Sequence, residues 1–200
     1  MSGKKTFNDL KRAEKEARKN LIIDAAERVF ANKPYDKVSM KEIAKEAGIS
    51  TSSIYTYFSD QETLFAEAFL RDTYILIESL TEITEKEQEP ELKSIIDAFI
   101  DYFTDNEAYF RMMANFMLHG RLSVESLEKL NAVLRDILGT FDTFFKKRNN
   151  SHDMRLRSHI LFAFLNGLLI NFRKYPGRSE EEVTAHMKRL GAIFADSFER

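Results

Sequence analysis

The scarcity of turn-forming residues is the feature of this sequence that most constrains its fold. The 200 residues include only 7 glycines and 3 prolines, against roughly 14 and 10 at average usage. A β-sandwich or β-barrel needs many tight turns, and glycine and proline supply most of them. The chain also lacks the sustained alternation of apolar and polar residues that is typical of half-buried strands. The sequence therefore predicts an all-α protein.

Capping signals and helix-stopping residues divide the chain into about nine predicted helices. Apolar residues, beginning with Leu21, recur at helical spacing until Pro34 ends the first segment, because the residue before a proline avoids helical backbone angles. Capping boxes, in which a serine or threonine precedes a glutamate by three residues, begin at Ser39, Ser59, Thr104 and Ser179. The predicted helices cover residues 11–31, 40–47, 51–58, 61–85, 90–104, 105–119, 123–146, 153–175 and 179–200.

Three divisions follow from this pattern and from the distribution of charge. Residues 1–17 form a basic N-terminal extension, residues 18–65 a small three-helix bundle, and residues 66–200 a larger helical domain. The formal net charge is −2, but residues 1–60 carry 12 Lys/Arg against 9 Asp/Glu, and the first twenty residues carry 7 against 3. This asymmetry suggests that a polyanion binds near the N-terminal end.

Several classes of protein are excluded by what the sequence lacks. It has no cysteine, which removes disulfides and thiolate chemistry and suits a reducing cytosol. The first twenty residues contain no apolar signal segment, and the longest nearly apolar run, at residues 160–170, is shorter than a membrane span. The four histidines form no metal-binding motif, and no phosphate-binding loop or nucleophile elbow is present. We expect a cytoplasmic protein with no membrane partner, metal, cofactor or catalytic residues.

The segment from Ser39 to Phe58 has the spacing of a helix-turn-helix. Ala44 and Ala47 are small where two helices must cross closely, and Gly48 permits the positive φ angle that a tight turn requires. In a helix-turn-helix the second helix presents its N-terminal half to the major groove of DNA. An ordinary αα-corner has the same spacing, and at this point both interpretations remain open.

A longer run of residues resembles the N-terminal domain of the TetR family of bacterial transcriptional regulators. The run covers residues 18–70 and reads Leu21-Ile-Ile-x-Ala-Ala-x-x-Val-Phe30, Tyr35, Ser39-Met-x-x-Ile-Ala44, Ala47-Gly-Ile-Ser50, Ile54-Tyr-x-Tyr-Phe58 and Glu62-x-Leu-Phe65. The resemblance implies that the third helix is the recognition helix. The residues that we predict to contact DNA are Ser39, Lys41, Ser50, Thr51, Ser52, Ser53, Tyr55, Thr56, Tyr57 and Gln61.

The residue types of the third helix support this interpretation and also limit it. Its row of hydroxyl groups suits phosphate oxygens and base edges, although the tyrosines could instead pack and the serines could serve only as caps. The helix contains no Arg or Lys, so it lacks the bidentate contact to guanine. Gln61 replaces a lysine that is frequent in the family, and Pro34 replaces a glycine. The N-terminal extension could contact phosphates or a minor groove, or it could be a solvated helix.

The two last helices predict a dimer. The eighth is apolar nearly all round, and a monomer of 23.3 kDa offers little cover for such a helix. In the family these helices usually form a four-helix bundle with a second subunit, which places two recognition helices on a palindromic operator in double-stranded DNA. The predicted dimer contacts are Phe164, Leu168, Phe172, Leu190 and Phe194.

The remaining helices are rich in Phe and Met, which most often means a filled core. In the family this core often opens into a cavity for a small apolar ligand, which then favours a state that no longer fits DNA. The predicted ligand contacts are Phe103, Phe110, Met113, Phe116, Met117, His119, Phe144, Phe162 and Asn166, and Asn115 is a further polar candidate. Three alternatives remain open: a regulator with a closed core, an activator, and a helical lipid carrier or enzyme with an incidental αα-corner.

Overall fold

The computed structural model of the chain describes residues 6–86, 89–119, 122–148 and 153–198, without the side chains of residues 86 and 116–119. Within these ranges it contains nine α-helices, one short 3₁₀ turn at Tyr35–Lys37 and no strand, so the predicted all-α fold is confirmed. The helices are α1 Phe7–Asn32, α2 Met40–Glu46, α3 Thr51–Ile54, α4 Gln61–Lys86, α5 Leu92–Asp105, α6 Glu107–His119, α7 Val124–Lys147, α8 Met154–Phe172 and α9 Glu180–Phe198.

The second half of α1 packs with α2, α3 and the start of α4 around one small core. Ile22 and Phe30 of α1, Ile43 of α2 and Ile54 of α3 are each at most 2% exposed. Leu21, which the apolar spacing placed on the same face, is 63% exposed. Leu21 lies at the edge of the buried side of α1, so this buried side is one residue narrower than the sequence predicted.

The caps or ends of three helices differ from the predicted ones. Thr104 lies inside α5, where its hydroxyl donates to the Ile100 carbonyl, so the predicted capping box at this residue is wrong. At the start of α4 the Asp60 carboxylate accepts from the Thr63 N–H at 2.7 Å, in place of Ser59. α3 ends at Ile54 and residues 55–57 form a turn, whereas the sequence predicted a helix to residue 58.

The 26-residue helix α4 connects the small N-terminal bundle to the larger group of helices α5–α9. α5 is central in this group, with Ile96, Phe99 and Phe103 each at most 2% exposed. α9 crosses α5 at Gly191, where an added Cβ would lie 2.5 Å from Cγ2 of Ile96. No helix within the described ranges is long and apolar enough to cross a membrane.

Candidate nucleic-acid interface and ligand cavity

The turn between α2 and α3 has a Schellman motif that fixes the direction of α3. The Ile49 N–H donates to the Ala44 carbonyl at 2.9 Å, and the Gly48 N–H donates to the Lys45 carbonyl at 3.2 Å. Gly48 has a φ angle of +69°, which favours glycine because it has no Cβ. Ile49 packs against the core, so the backbone turns sharply and delivers α3 to the surface.

Serine hydroxyls organise the start of α3. The Ser50 Oγ accepts from the Ser53 N–H at 3.1 Å, and it also lies 2.8 Å from the Ser52 Oγ and 2.7 Å from the Ser53 Oγ. This N-cap satisfies one of the free amide groups of the first turn. At the other end the Thr56 hydroxyl donates to the Ser53 carbonyl. The short helix is thus held at both ends by its own polar side chains.

Most of the residues predicted to contact DNA are exposed to solvent. Ser39, Lys41, Ser50, Thr51, Ser52, Tyr55 and Thr56 are exposed, and Ser53, Tyr57 and Gln61 are half-buried. The Gln61 amide donates to the Tyr35 carbonyl at 2.6 Å, so this side chain stabilises the segment between α1 and α2. Ser39 caps α2 by accepting from the Glu42 N–H at 3.3 Å.

A cavity of about 240 Å³ lies among α4–α8. Its walls are mainly apolar, and its polar groups come from Thr73, Tyr109, Asn131 and Asn166. The Thr73 and Tyr109 hydroxyls lie 2.5 Å apart, and burial raises the pKa of Tyr109. Asn131 is exposed and neighbouring Leu127 is 42% exposed, so the cavity opens to solvent at the first turns of α7.

The structure brings together only part of the predicted ligand set. Phe103, Met113, Phe162 and Asn166 line the cavity, whereas the side chains of Phe116, Met117 and His119 lie outside the described residues. Phe110 does not line it, and instead packs beneath the Arg173 guanidinium at 5.0 Å from the ring centroid. Phe144 lies nearer the end of α7 than the lining residues and packs against Phe145 in the core.

Sequence reasoning missed the lining residues of α4 and of the first half of α7. Phe69 and Thr73 of α4 line the cavity, as do Leu130 and Val133 of α7. Nothing distinguishes these residues from ordinary core positions in the sequence. Asn115, a predicted ligand contact, lies elsewhere: its amide donates to the carbonyls of Phe30 and Lys33 at 3.1 and 3.2 Å. It therefore joins α6 to the end of α1.

A continuous series of aromatic rings joins the N-terminal bundle to the cavity. The Phe65 ring lies 5.0 Å from the rings of both Phe30 and Tyr35 and 6.1 Å from Phe69. Phe69 in turn lies 5.4 Å from Tyr109, and both of these residues line the cavity. These rings therefore form a continuous series of packing contacts between the cavity wall and the bundle.

Two polar contacts also cross between the bundle and the larger group of helices. The Glu62 carboxylate at the start of α4 accepts from the Ser123 N–H at 2.9 Å and from its hydroxyl. The Arg71 guanidinium of α4 lies 2.5 Å from Glu27 and 2.7 Å from Asp24, both on α1. Burial raises the pKa of Glu27 to about 7 and that of neighbouring Asp72 to about 6.

The outward face of α8 and α9 carries apolar side chains that the rest of the described residues do not cover completely. Ile160, Ile170 and Ile193 are 42%, 56% and 64% exposed. Phe164 and Phe194 stack with ring centroids 3.8 Å apart, and both are half-buried, as are Phe172 and Leu190. Leu168 is only 3% exposed, because it points into the subunit core, and so it is not available as a dimer contact.

The described residues contain no group of three His, Asp or Glu side chains placed to hold a metal ion. Comparisons with known proteins show what the chain is similar to. Residues 22–68 match the family of bacterial regulatory proteins named tetR. The chain is 28% identical over 104 residues to an uncharacterized HTH-type transcriptional regulator of Haemophilus influenzae, an alignment that spans half of each protein. It is 25% identical over 152 residues to the fatty acid metabolism regulator protein of Bacillus subtilis, covering 72% of this chain and 78% of that protein.

A solved structure extends the similarity over most of the chain. The Bacillus subtilis transcriptional regulator FadR, solved in complex with stearoyl-CoA, superimposes with a TM-score of 0.69 at 22% identity, over 88% of this chain and 96% of that one. At this identity the superposition shows a shared fold. Together these findings show that residues 22–68 are similar to the tetR family of bacterial regulatory proteins and that most of the chain shares the fold of FadR.

Proposed function

We propose that this protein is a homodimeric DNA-binding repressor that a small apolar or aromatic ligand releases from its operator. In this proposal residues 18–65 bind DNA, and residues 66–200 hold the ligand and the dimer contacts. The observation that carries it is the position of α4, which supports the helix-turn-helix at one end and walls a 240 Å³ cavity farther along. The relatives named above are transcriptional regulators, and we assign the chain no enzymatic activity.

The exposed hydroxyl groups of α3 and the turn after it are the proposed reading surface. Thr51, Ser52, Tyr55 and Thr56 are exposed on one short element, and such groups bond to phosphate oxygens and base edges. α3 carries no basic side chain, so each half-site contributes weak contacts. Two copies held together compensate for this weakness.

The apolar face of α8 and α9 is the proposed dimer interface. Its exposed isoleucines and stacked phenylalanines would be covered by the same face of a second copy, as two-fold symmetry requires. A two-fold dimer of this family places its recognition helices about 34–36 Å apart, one turn of B-DNA. The two-fold symmetry makes the operator palindromic, and the spacing sets the separation of its two half-sites.

The cavity is the proposed ligand site. Its volume of about 240 Å³ lies just below the usual range of about 300–1,000 Å³ for ligand pockets, which suits a narrow apolar molecule. The Bacillus subtilis relative is a fatty acid metabolism regulator, and the superimposed structure holds stearoyl-CoA. An acyl chain is therefore the first ligand to test, with Thr73, Tyr109, Asn131 and Asn166 as the groups that would orient a polar end.

Release from DNA would follow from the contacts between the cavity wall and the bundle. A ligand that displaces Phe69 or Tyr109 moves the ring series that ends at Phe30 and Tyr35. Movement of α6 acts on the end of α1 through Asn115. Either displacement changes the separation of the two recognition helices, and a ligand that binds this altered state more tightly shifts the population towards it.

Selection of duplexes from a random pool, followed by gel-shift titration, tests the DNA-binding half of the proposal. We expect Tyr55→Ala to weaken binding to the selected duplex by about tenfold or more, as loss of one specific contact does. Tyr74→Ala is a matched control, because Tyr74 on α4 is 52% exposed and Tyr55 is 53% exposed. If no duplex is enriched, the DNA-binding proposal is wrong. If a duplex is enriched but both variants bind it equally well, the assignment of Tyr55 to the reading surface is wrong.

Thermal denaturation with dodecanoic acid tests the ligand half. Binding to the folded state raises the midpoint by mass action, and the ligand should release the selected duplex. Val133→Phe should abolish both effects, because Val133 is 1% exposed and lines the cavity. Val124→Phe, 74% exposed on the same helix, is the control. Ligand binding without any effect on DNA would instead favour the hydrophobic-ligand carrier.

A further inference from the structure

The first twelve residues of α1, residues 7–18, extend beyond the bundle as part of one uninterrupted helix. Its start is fixed by a capping box in which the Thr6 Oγ accepts from the Asp9 N–H, and the Asp9 carboxylate accepts from the Thr6 N–H at 2.8 Å. Every residue from 7 to 18 is exposed. At 1.5 Å per residue the segment from Arg18 to Phe7 is about 16 Å long.

Positive charge in this segment lies on one side of the helix. With 3.6 residues per turn, Lys11, Arg12, Lys15 and Arg18 fall within an arc of about 120°, and these four residues form the basic stripe. Ile22, Ala26 and Phe30, which pack into the bundle, occupy the same arc farther along α1. The acidic residues Asp9, Glu14 and Glu16 fall outside it. The basic stripe therefore continues the side of α1 that faces α2–α4.

The basic stripe begins beside the proposed reading surface. Arg18 and Ile22 line one groove together with Ser53, Thr56 and Tyr57. Lys19, the next residue of α1, lies 2.8 Å from Glu67 of α4 and 5.7 Å from the centre of the Phe58 ring. From this groove the basic stripe runs along α1 towards Phe7.

The charges of the basic stripe are available to a partner. Arg18 pairs with Glu14 on its own helix, but Lys11, Arg12 and Lys15 form no ion pair with any residue in the described ranges. An α-helix is about 10–12 Å wide with its side chains, whereas the minor groove is about 6 Å wide. The helical form of this segment therefore excludes insertion into the minor groove and leaves the phosphate backbone as the complementary surface.

We propose that the basic stripe binds the backbone phosphates that flank the half-site contacted by α3, so that each protomer covers more DNA than its helix-turn-helix alone. This inference rests on the proposed DNA-binding function. It also supplies the positive charge that α3 lacks. Phosphate contacts of this kind position a protein on DNA without reading its sequence.

The test compares two triple variants on the selected duplex across a range of salt concentrations. The first, Lys11→Gln, Arg12→Gln and Lys15→Gln, removes three charges from the stripe. The control, Lys129→Gln, Arg135→Gln and Lys146→Gln, removes the same charge from exposed positions on α7. Each lost phosphate contact makes the slope of log K against log salt shallower by about 0.9, so six contacts in a dimer predict a change of up to about 5. The control should keep the wild-type slope.

Trimming the duplex gives a second, independent readout. Removing one turn, about 10 base pairs, from each flank should weaken wild-type binding and leave the stripe variant unaffected. Equal slopes for wild type and stripe variant, or wild-type binding that ignores the flanks, would overturn the inference while leaving the helix-turn-helix function intact. Loss of binding to phosphatidylglycerol vesicles in the stripe variant, with its DNA slope unchanged, would reassign the stripe to a lipid surface. Failure of the wild type to select any duplex would instead refute the proposed function.

Discussion

The N-terminal bundle and the group of helices that follows it both bury phenylalanines, but they differ in how their working surface is fixed. In the bundle, directional hydrogen bonds hold each corner: Ile49 to Ala44 in the turn, and Ser53 to Ser50 at the next cap. In the larger group, apolar side chains surround a space of about 240 Å³ that they do not fill. A surface that reads DNA needs one shape, whereas a ligand site needs walls that can move. Hydrogen bonds fix the shape of the N-terminal bundle, whereas loose packing around the cavity leaves room for movement in the larger group.

The largest expected effect tests whether the two regions fold as one unit. Phe65 is 1% exposed and contacts rings from both regions. We expect Phe65→Ala to lower the free energy of unfolding by roughly 3–5 kcal/mol, measured by urea denaturation followed by circular dichroism. Phe7→Ala, at 70% exposure, should change it by less than about 0.5 kcal/mol. Two separate transitions in the Phe65 variant would show that the regions are independent.

The pH dependence of stability tests the contact between α1 and α4 at Glu27. Its pKa is raised by burial from an ordinary 4.5 to about 7, so the folded protein holds a proton that the unfolded chain releases between these values. The free energy of unfolding should therefore fall as pH rises from 4.5 to 7, by at most about 1.4 kcal/mol per unit.

Glu27→Gln removes this proton exchange, and its stability should change less with pH than that of the wild type across the same window. The pKa of Asp72 is raised to about 6, so this carboxyl adds a smaller fall in stability in the same direction. The Glu27→Gln variant keeps this smaller fall. Glu125→Gln, at an exposed pair on α7, should follow the wild-type curve. A Glu27 variant that also follows it would mean that this carboxyl is solvated.

Substitution of one glycine in each region should lower stability for a different reason: backbone strain at Gly48 and a steric clash at Gly191. Gly48→Ala should cost about 1–2 kcal/mol because of its φ angle of +69°, and Gly48→Asn should cost less, since asparagine tolerates this conformation. Gly191→Ala should lower stability by roughly 1–3 kcal/mol through the clash with the branched Ile96 side chain. Gly191→Asn should lower it further. Gly139→Ala, which meets no atom within 4 Å, should be stabilising by about 0.5–1 kcal/mol. Thermal denaturation of the five variants would check this order.

The smallest effect concerns the contact between Glu62 and Ser123. Glu62→Gln replaces a charged acceptor and should lower stability by about 1 kcal/mol or less. The hydroxyl and N–H of Ser123 hold the pKa of this carboxyl below its usual range, so the loss should be present at pH 7 and diminish as the pH falls and Glu62 is protonated. Denaturation at pH 7 and pH 3.5 measures both values. A larger loss at the lower pH would contradict the assigned contact.

The sequence predicted the helix-turn-helix well because each of its corners depends on one residue type. Glycine at the αL position and serine at an N-cap are recognisable from local chemistry. Capping was less predictable where two candidates competed, as with Ser59 and Asp60, because the choice depends on the partner that Glu62 finds on α7. α1 begins four residues before its predicted start, because apolar spacing marks a helix only where it has a buried side, and residues 7–18 have none.

The cavity could be predicted only as a property of the family. Phe103 lines it and Phe144 does not, yet both are fully buried phenylalanines on amphipathic helices. Whether a buried ring faces an empty space or another ring depends on how far along its helix it lies relative to α4 and α8. That information is in the packing of several helices and not in the local sequence.

The unbroken length of α1 has a mechanical consequence. Its C-terminal end is anchored to α6 by Asn115 and its last third to α4 by Arg71, while the side chains of residues 7–18 are exposed to solvent. A rod of 26 residues is about 39 Å long, so a tilt of about 5° around the anchored end displaces the far tip by about 3 Å, more than any point nearer the pivot. A small tilt of α1 therefore produces its largest displacement at the start of the helix.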